Sequence, residues 1–188
     1  MTAPDFSRCT LGLLGAGNMA EALLRGVLKA RLFAPDSVVA CDVLPARREL
    51  FARELGVRVS QSPAETAREA DLLVLCVKPQ QADAALAEVR PVFQPAIHRL
   101  ISIAAGLSTA RLEAALPEGA RVVRVMPNTP MLAGVGAAGI CPGKHAGEDD
   151  LRRAEALFGA AALVVRVAEP LMDALTALSG SGPAYLFY

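Results

Sequence analysis

Thr10-Leu11-Gly12-Leu13-Leu14-Gly15-Ala16-Gly17-Asn18-Met19-Ala20 joins two different periodicities across a glycine turn. Residues 10–14 are a short apolar run, the pattern of a buried strand. From Asn18 to Ala30 the apolar residues recur at helical spacing: Met19, Leu23 and Val27 share one face, with Leu24 and Leu28 beside it. Between strand and helix, Gly15-Ala16-Gly17-Asn18-Met19-Ala20 fits G-x-G-x-x-G/A. The chemistry requires those residue types. Gly15 permits the tight turn, Gly17 lets backbone approach a pyrophosphate, and Ala20 lets helix and strand pack closely, while the helix N-terminus attracts phosphate. Gly-rich turns are common, and this one reads as a dinucleotide loop because its flanking strand and helix lie where the mechanism needs them.

Working outward, strands and helices alternate. Strands are expected at 37–42, 57–59, 72–77, 100–103, 121–126, 136–140 and, at an edge, 163–167. Helices are expected at 45–55, 63–70, 79–89, 108–116 and 148–162. Strands that are apolar throughout and separated by helices predict a parallel sheet covered on both faces. From Glu169 the pattern turns helical, with Ser179–Gly182 expected to break the helix and Pro183 to start another. The fold class is therefore α/β: a Rossmann-type, doubly wound, mostly parallel sheet over residues 1–167, then 168–188 as linker and first helices of a truncated all-α domain.

Composition excludes other classes. The 188 residues are 53% hydrophobic and 20% charged, with 19 basic against 19 acidic side chains. That is too apolar for a disordered chain and carries no basic excess for nucleic acid. Aromatics are scarce, with no Trp, two Tyr and six Phe, which suits helices laid on a sheet through small contact residues. Cys9, Cys41, Cys76 and Cys141 are scattered, and only His98 and His145 exist, so no metal site is expected. Three of the four cysteines lie in or beside apolar runs and read as buried thiols of a reduced, cytoplasmic protein. Neither a signal-peptide core nor an apolar run of membrane-spanning length is visible.

Five segments converge on the carboxyl ends of the strands, where ligands of open α/β sheets bind. They are Gly15–Gly17, Asp42, Lys78-Pro79-Gln80, Ala104-Ala105-Gly106 and the run from Met126 to Pro130. Asp42, 25 residues after Gly17, is placed to accept from adenosine ribose hydroxyls, which favours NAD(H). Arg47 and Arg48 follow and suit either a 2′-phosphate or a solvated helix face, so the choice between NADP and NAD stays open. Lys78, the only cation at the strand ends, suits an anionic group or a stem lying along the surface. Asn128 orients nicotinamide or its ribose, or caps the turn between Pro127 and Pro130.

The residues resemble a known family. Leu13 to Ala20, Val77-Lys78-Pro79-Gln80, Ser102 to Gly106, Arg124 to Pro130 and above all Leu178-Ser179-Gly180-Ser181-Gly182-Pro183-Ala184-Tyr185 are similar to pyrroline-5-carboxylate reductase, over essentially the whole chain. The resemblance implies reduction of L-1-pyrroline-5-carboxylate to L-proline by NADPH or NADH, the final step of proline biosynthesis. It implies that Leu14, Gly15, Ala16, Gly17, Asn18 and Met19 hold the pyrophosphate and that Asp42 meets the adenosine ribose. Val77, Lys78, Pro79, Ala104, Ala105 and Gly106 would line the remaining cofactor, and Glu169 would stand on the substrate side. Asp42 departs from the small hydroxyl of many members, and a family Asn near the adenine is replaced near Pro63.

The family's Ser-Pro-Gly-Gly-Thr-Thr segment and helical dimerisation domain would follow Tyr188, so a homo-oligomer is expected of the full-length protein and little turnover of this chain alone. No catalytic side chain is assigned: no His lies in the loops, and a protonated imine needs little proton donation. Two alternatives are another NAD(P)-dependent imine or hydroxy-acid reductase, and a non-catalytic dinucleotide-binding module.

Overall fold

A computed structural model describes residues 4–182. Eight strands form one sheet: β1 (Leu11–Leu14), β2 (Val38–Cys41), β3 (Arg58–Ser60), β4 (Leu72–Leu75), β5 (Arg99–Ser102), β6 (Arg121–Pro127), β7 (Gly136–Pro142) and β8 (Ala162–Arg166). Their order across the sheet is β3-β2-β1-β4-β5-β6-β7-β8. The first six are parallel, β7 runs antiparallel to β6, and β8 is parallel to β7 at the edge. The fold is the expected Rossmann-type one, and its strand order reverses at β1.

Six helices cover the sheet: α1 (Asn18–Lys29), α2 (Pro45–Glu54), α3 (Pro63–Glu69), α4 (Pro79–Val89), α5 (Thr109–Ala114) and α6 (Glu148–Gly159). Proline begins α2, α3 and α4, where the missing N–H has no intrahelical partner to lose. Ser62 and Ser108 cap α3 and α5 through their hydroxyls, which accept from Glu65 and Arg111 amides. Ser108 thus acts as the expected helix start despite Arg at the third position.

Strand alternation divides β1 between two cores. Leu11 and Leu13 pack with Leu23, Val27, Phe51, Leu157 and Phe158 on one side. Leu14 packs with Ala67, Leu86, Leu112 and their neighbours on the other. Each fully buried leucine contributes about 1.5–3 kcal/mol. Small residues set the layer spacing. A Cβ on Gly12 would lie 2.7 Å from Ala70 Cβ, and one on Gly26 would lie 2.9 Å from Ala161 Cβ.

Two local readings change. The minor strand sits at Arg58–Ser60, one residue later than expected, because Val39, Ala40 and Cys41 set its register. Residues 179–182 do not break the last helix. α7 (Met172–Leu175) passes into a π-helical turn, Thr176–Ser181. Thr176 and Ser179 donate their hydroxyls to the carbonyls of Met172 and Leu175, four residues back, at 2.7 and 3.0 Å. A Cβ on Gly180 would lie 3.2 Å from Met126 Cε, so this glycine serves close packing on β6 rather than helix termination. Pro183 lies outside the described residues. None of the described helices is long and apolar enough to cross a membrane.

Gly26→Val should lower stability by about 1–3 kcal/mol, since both Ala161 Cβ and the Ala160 carbonyl crowd the new methyls. Urea unfolding checks this; an unmoved midpoint would show that α1 can shift on the sheet.

Candidate functional site

Because β1, β2, β4, β5 and β6 are parallel, the segments that follow them emerge at one edge of the sheet. The site is built from that edge. Gly15 N–H donates to Cys41 O at 3.0 Å and Cys76 N–H to Leu14 O at 2.8 Å, so the ladder runs on past the strands. Gly15 has φ +102°, a left-handed conformation that costs a side chain but not glycine. A Cβ there would also lie 3.0 Å from Val77 Cγ1, which brings the first loop against the third.

Gly17 has a different reason. Its backbone is extended, and a Cβ on it would meet nothing within 4 Å. The position opens onto the crevice. The first helical bond of α1 is Glu21 N–H to Gly17 O, so the Gly17, Asn18, Met19 and Ala20 amides precede it. Such amides lack intrahelical acceptors and carry the positive end of the helix dipole.

Asp42 lies beside this loop. Its Oδ2 accepts from Ala16 N–H at 2.8 Å and its Oδ1 from Leu44 N–H at 2.9 Å. Arg47 Nε donates to Ala16 O at 2.6 Å, and its terminal nitrogen pairs with Glu21 at 2.8 Å. Arg48 donates to the Asp42 carbonyl. Burial pushes the Glu21 carboxyl up, but hydrogen bonds from Arg47 and Arg25 outweigh it and hold the group below 4.5.

The other predicted residues divide. Lys78 is exposed just before Pro79 opens α4, and its side chain caps nothing. Ala104 is buried, and its N–H donates to Ser102 Oγ at 3.3 Å. Gly106 has φ +74°, and a Cβ on it would point into open space. Asn128 caps no helix: its Oδ1 accepts from Ala137 N–H at 2.8 Å while its own N–H donates to Ala137 O at 3.1 Å. It fastens the end of β6 to β7.

Glu169 gathers partners that the sequence reading missed. Its two oxygens accept from Thr109 N–H at 2.7 Å and Thr109 Oγ1 at 2.6 Å. Arg124, 5% exposed on β6, reaches Glu169 at 3.4 Å and Asp173 at 3.2 Å. The signal was an arginine inside the apolar run Val122-Val123-Arg124-Val125, which needs a buried or linker-borne acid. Burial raises the Glu169 carboxyl, but the two Thr109 donors and Arg124 hold it below its ordinary 4.5.

Burial also pushes the thiols of Cys9 and Cys141 up to about 11, so both are protonated near neutrality. Among the described residues no three His, Cys, Asp or Glu side chains gather as metal ligands do.

Fold and site together define a Rossmann-type oxidoreductase domain, with a glycine loop at the switch point of the sheet. The chain belongs to the family described as NADP oxidoreductase, coenzyme F420-dependent, whose model matches residues 10–106. It is 45% identical over 178 residues to the pyrroline-5-carboxylate reductase of Methanosarcina acetivorans. It is 40% identical over 181 residues to that of Synechocystis sp.. Each alignment covers 94% of this chain and 65% of the relative. The chain thus spans 65% of the length of these curated relatives.

Among solved structures, pyrroline-5-carboxylate reductase from Coxiella burnetii superposes with TM-score 0.89 at 32% identity, covering 95% of this chain and 66% of that one. Plasmodium falciparum pyrroline carboxylate reductase with NADP bound gives 0.84 at 30%, covering 96% and 65%. The resemblance read from the motifs is therefore borne out.

Glu169→Gln should cost about 1.5–3 kcal/mol near neutral pH, the scale of charged hydrogen bonds. The folded-state carboxyl is depressed, so its stabilisation is present above the ordinary 4.5 and fades as pH falls through the lower folded value. Urea unfolding at about pH 7 and about pH 4 should show the variant losing less stability than the wild type on acidification. Equal losses would mean that Arg124 and Thr109 gain nothing from the charge.

Proposed function

We propose that this chain is the dinucleotide-binding part of an enzyme that reduces L-1-pyrroline-5-carboxylate to L-proline with NADPH or NADH, the last step of proline biosynthesis. The observation that supports this most is the open Gly17 position at the switch point of the sheet, in a chain with close relatives named for that activity. The local geometry fits a dinucleotide. Backbone can be approached at Gly17, the amides of Gly17, Asn18 and Met19 are offered ahead of the first helical bond, and Leu14–Ala16 lie buried beneath.

In this reading Gly15–Met19 hold the pyrophosphate and Asp42 stands beside the adenosine ribose. Val77, Lys78, Pro79, Ala104, Ala105, Gly106 and Asn128 line the remainder. Glu169 supports the substrate side by holding Thr109, which follows the Ala104–Gly106 loop. The nicotinamide, when bound, supplies a hydride to the imine carbon. The chain's own residues bind and orient, since positioning is the main protein contribution to such a reaction.

The division into 1–167 and 168–188 belongs to this proposal, as does a homo-oligomeric full-length protein working in the cytoplasm without nucleic-acid or membrane partners. Leu171 and Leu178 support an oligomer, being 56% and 78% exposed on the last helical segment.

Titration calorimetry with NADH and NADPH, then pyrroline-5-carboxylate reduction by the same sample, tests the reading. Binding of either nucleotide supports it, and binding of neither overturns it. Gly17→Val should raise both dissociation constants on the order of 100-fold, about 2.7 kcal/mol. Thermal unfolding should stay unmoved, because the new side chain meets no protein atom within 4 Å of its Cβ. Asp42→Ser should move the NADPH-to-NADH affinity ratio toward NADPH by about tenfold, removing a carboxylate from the ribose side. An unaltered ratio would assign nucleotide choice elsewhere.

A further inference from the structure

Ala16 is the one residue of the glycine loop whose backbone is gripped at both ends by side chains. Its N–H donates to Asp42 Oδ2 at 2.8 Å, and its carbonyl accepts from Arg47 Nε at 2.6 Å. Both grips are themselves held. Asp42 Oδ1 accepts from Leu44 N–H, and the Arg47 guanidinium pairs with Glu21 in the first turn of α1 while lying 5.7 Å over the buried Phe51 ring. The Arg47 and Glu21 side chains are only 21% and 19% exposed, so solvent competes weakly for the pair.

The peptide plane gives these contacts a consequence. In a trans peptide the C=O and the following N–H point in opposite directions. Holding the Ala16 carbonyl toward α2 therefore aims the Gly17 N–H away from α2. That is the amide of the residue whose Cβ position is open. Without the Arg47 contact the two glycines flanking Ala16 would let this plane rotate freely.

We propose that Arg47 is a positioning residue for the nucleotide loop: it fixes the Ala16–Gly17 peptide so that the Gly17 N–H is presented to the pyrophosphate, and it does not itself meet the nucleotide. This rests on the dinucleotide reading above. It replaces both roles open to Arg47 in the sequence, a solvated face and a 2′-phosphate contact, since Nε and one terminal nitrogen are already committed. A positioning role acts on the part shared by NADH and NADPH, so its loss leaves discrimination between them unchanged.

Titration of this chain and its Arg47→Lys variant with NADH and with NADPH tests the proposal, alongside thermal unfolding and amide hydrogen exchange. Lysine keeps the charge facing Glu21 but lacks the planar donor aimed at Ala16. The expected result is weakening of both nucleotides by the same factor, about tenfold, with an unchanged ratio, an unmoved melting temperature and faster exchange of the Ala16 amide. Wild-type affinity for both nucleotides overturns the proposal. Loss confined to NADPH also overturns it, because Arg47 would then read the 2′-phosphate. Should Arg47→Lys fold poorly, Glu21→Gln decides: a smaller, equal loss of both nucleotides supports the brace, and unaltered affinities overturn it. If the wild type binds neither nucleotide, the functional reading falls by itself. The brace then stands or falls on whether Arg47→Lys speeds Ala16 exchange.

Discussion

Everything at the ligand edge depends on the strand order reversing at β1. β1 lies between β2 and β4, parallel to both, so successive right-handed crossovers leave it in opposite directions. No helix can then cover its carboxyl end, and a crevice opens there. Burial enforces the arrangement. Leu11, Leu13 and Leu14 are fully buried, with helices packed on both faces of the strand. Gly12 and Gly26 let α3 and the α6–β8 corner come within contact distance of the sheet and of α1. The loop from β1 into α1 is therefore short, and its geometry is imposed from outside.

Two networks of side chains hold the crevice, one at each flank. On the β2 side, Asp42 and Arg47 grip the Ala16 backbone, and Glu21 ties that grip to α1. On the β5–β6 side, Glu169 holds Thr109 at the start of α5 and meets the buried Arg124. Both use a carboxylate that desolvation alone would push up in pKa, and in both the hydrogen-bond donors outweigh that effect. The second network joins the sheet to the segment after β8, which carries the exposed Leu171 and Leu178. A relative motion of that segment would reach the Ala104–Gly106 loop through Thr109.

What the sequence by itself determined is whatever depends on residues adjacent along the chain. The apolar runs gave the strands, the proline starts gave α2 to α4, and Gly15-Ala16-Gly17 directly between a strand and a helical period gave the nucleotide-type turn. Parallel pairing followed from runs apolar on both faces, so the convergence of the Gly15, Asp42, Val77, Ala104 and Asn128 segments on one edge was also legible. The tertiary structure alone decided which partner each polar side chain takes. Arg47 meets Ala16 from 31 residues away, Thr109 meets Glu169 from 60, and Asn128 turns to Ala137 across a strand pair. It also decided that Gly180 packs on Met126 instead of ending a helix. Local pattern reports a residue's own conformational preference. A hydrogen bond or a close packing contact depends on which distant group the fold brings within about 3 Å, and that distance is not written in the spacing of the residues.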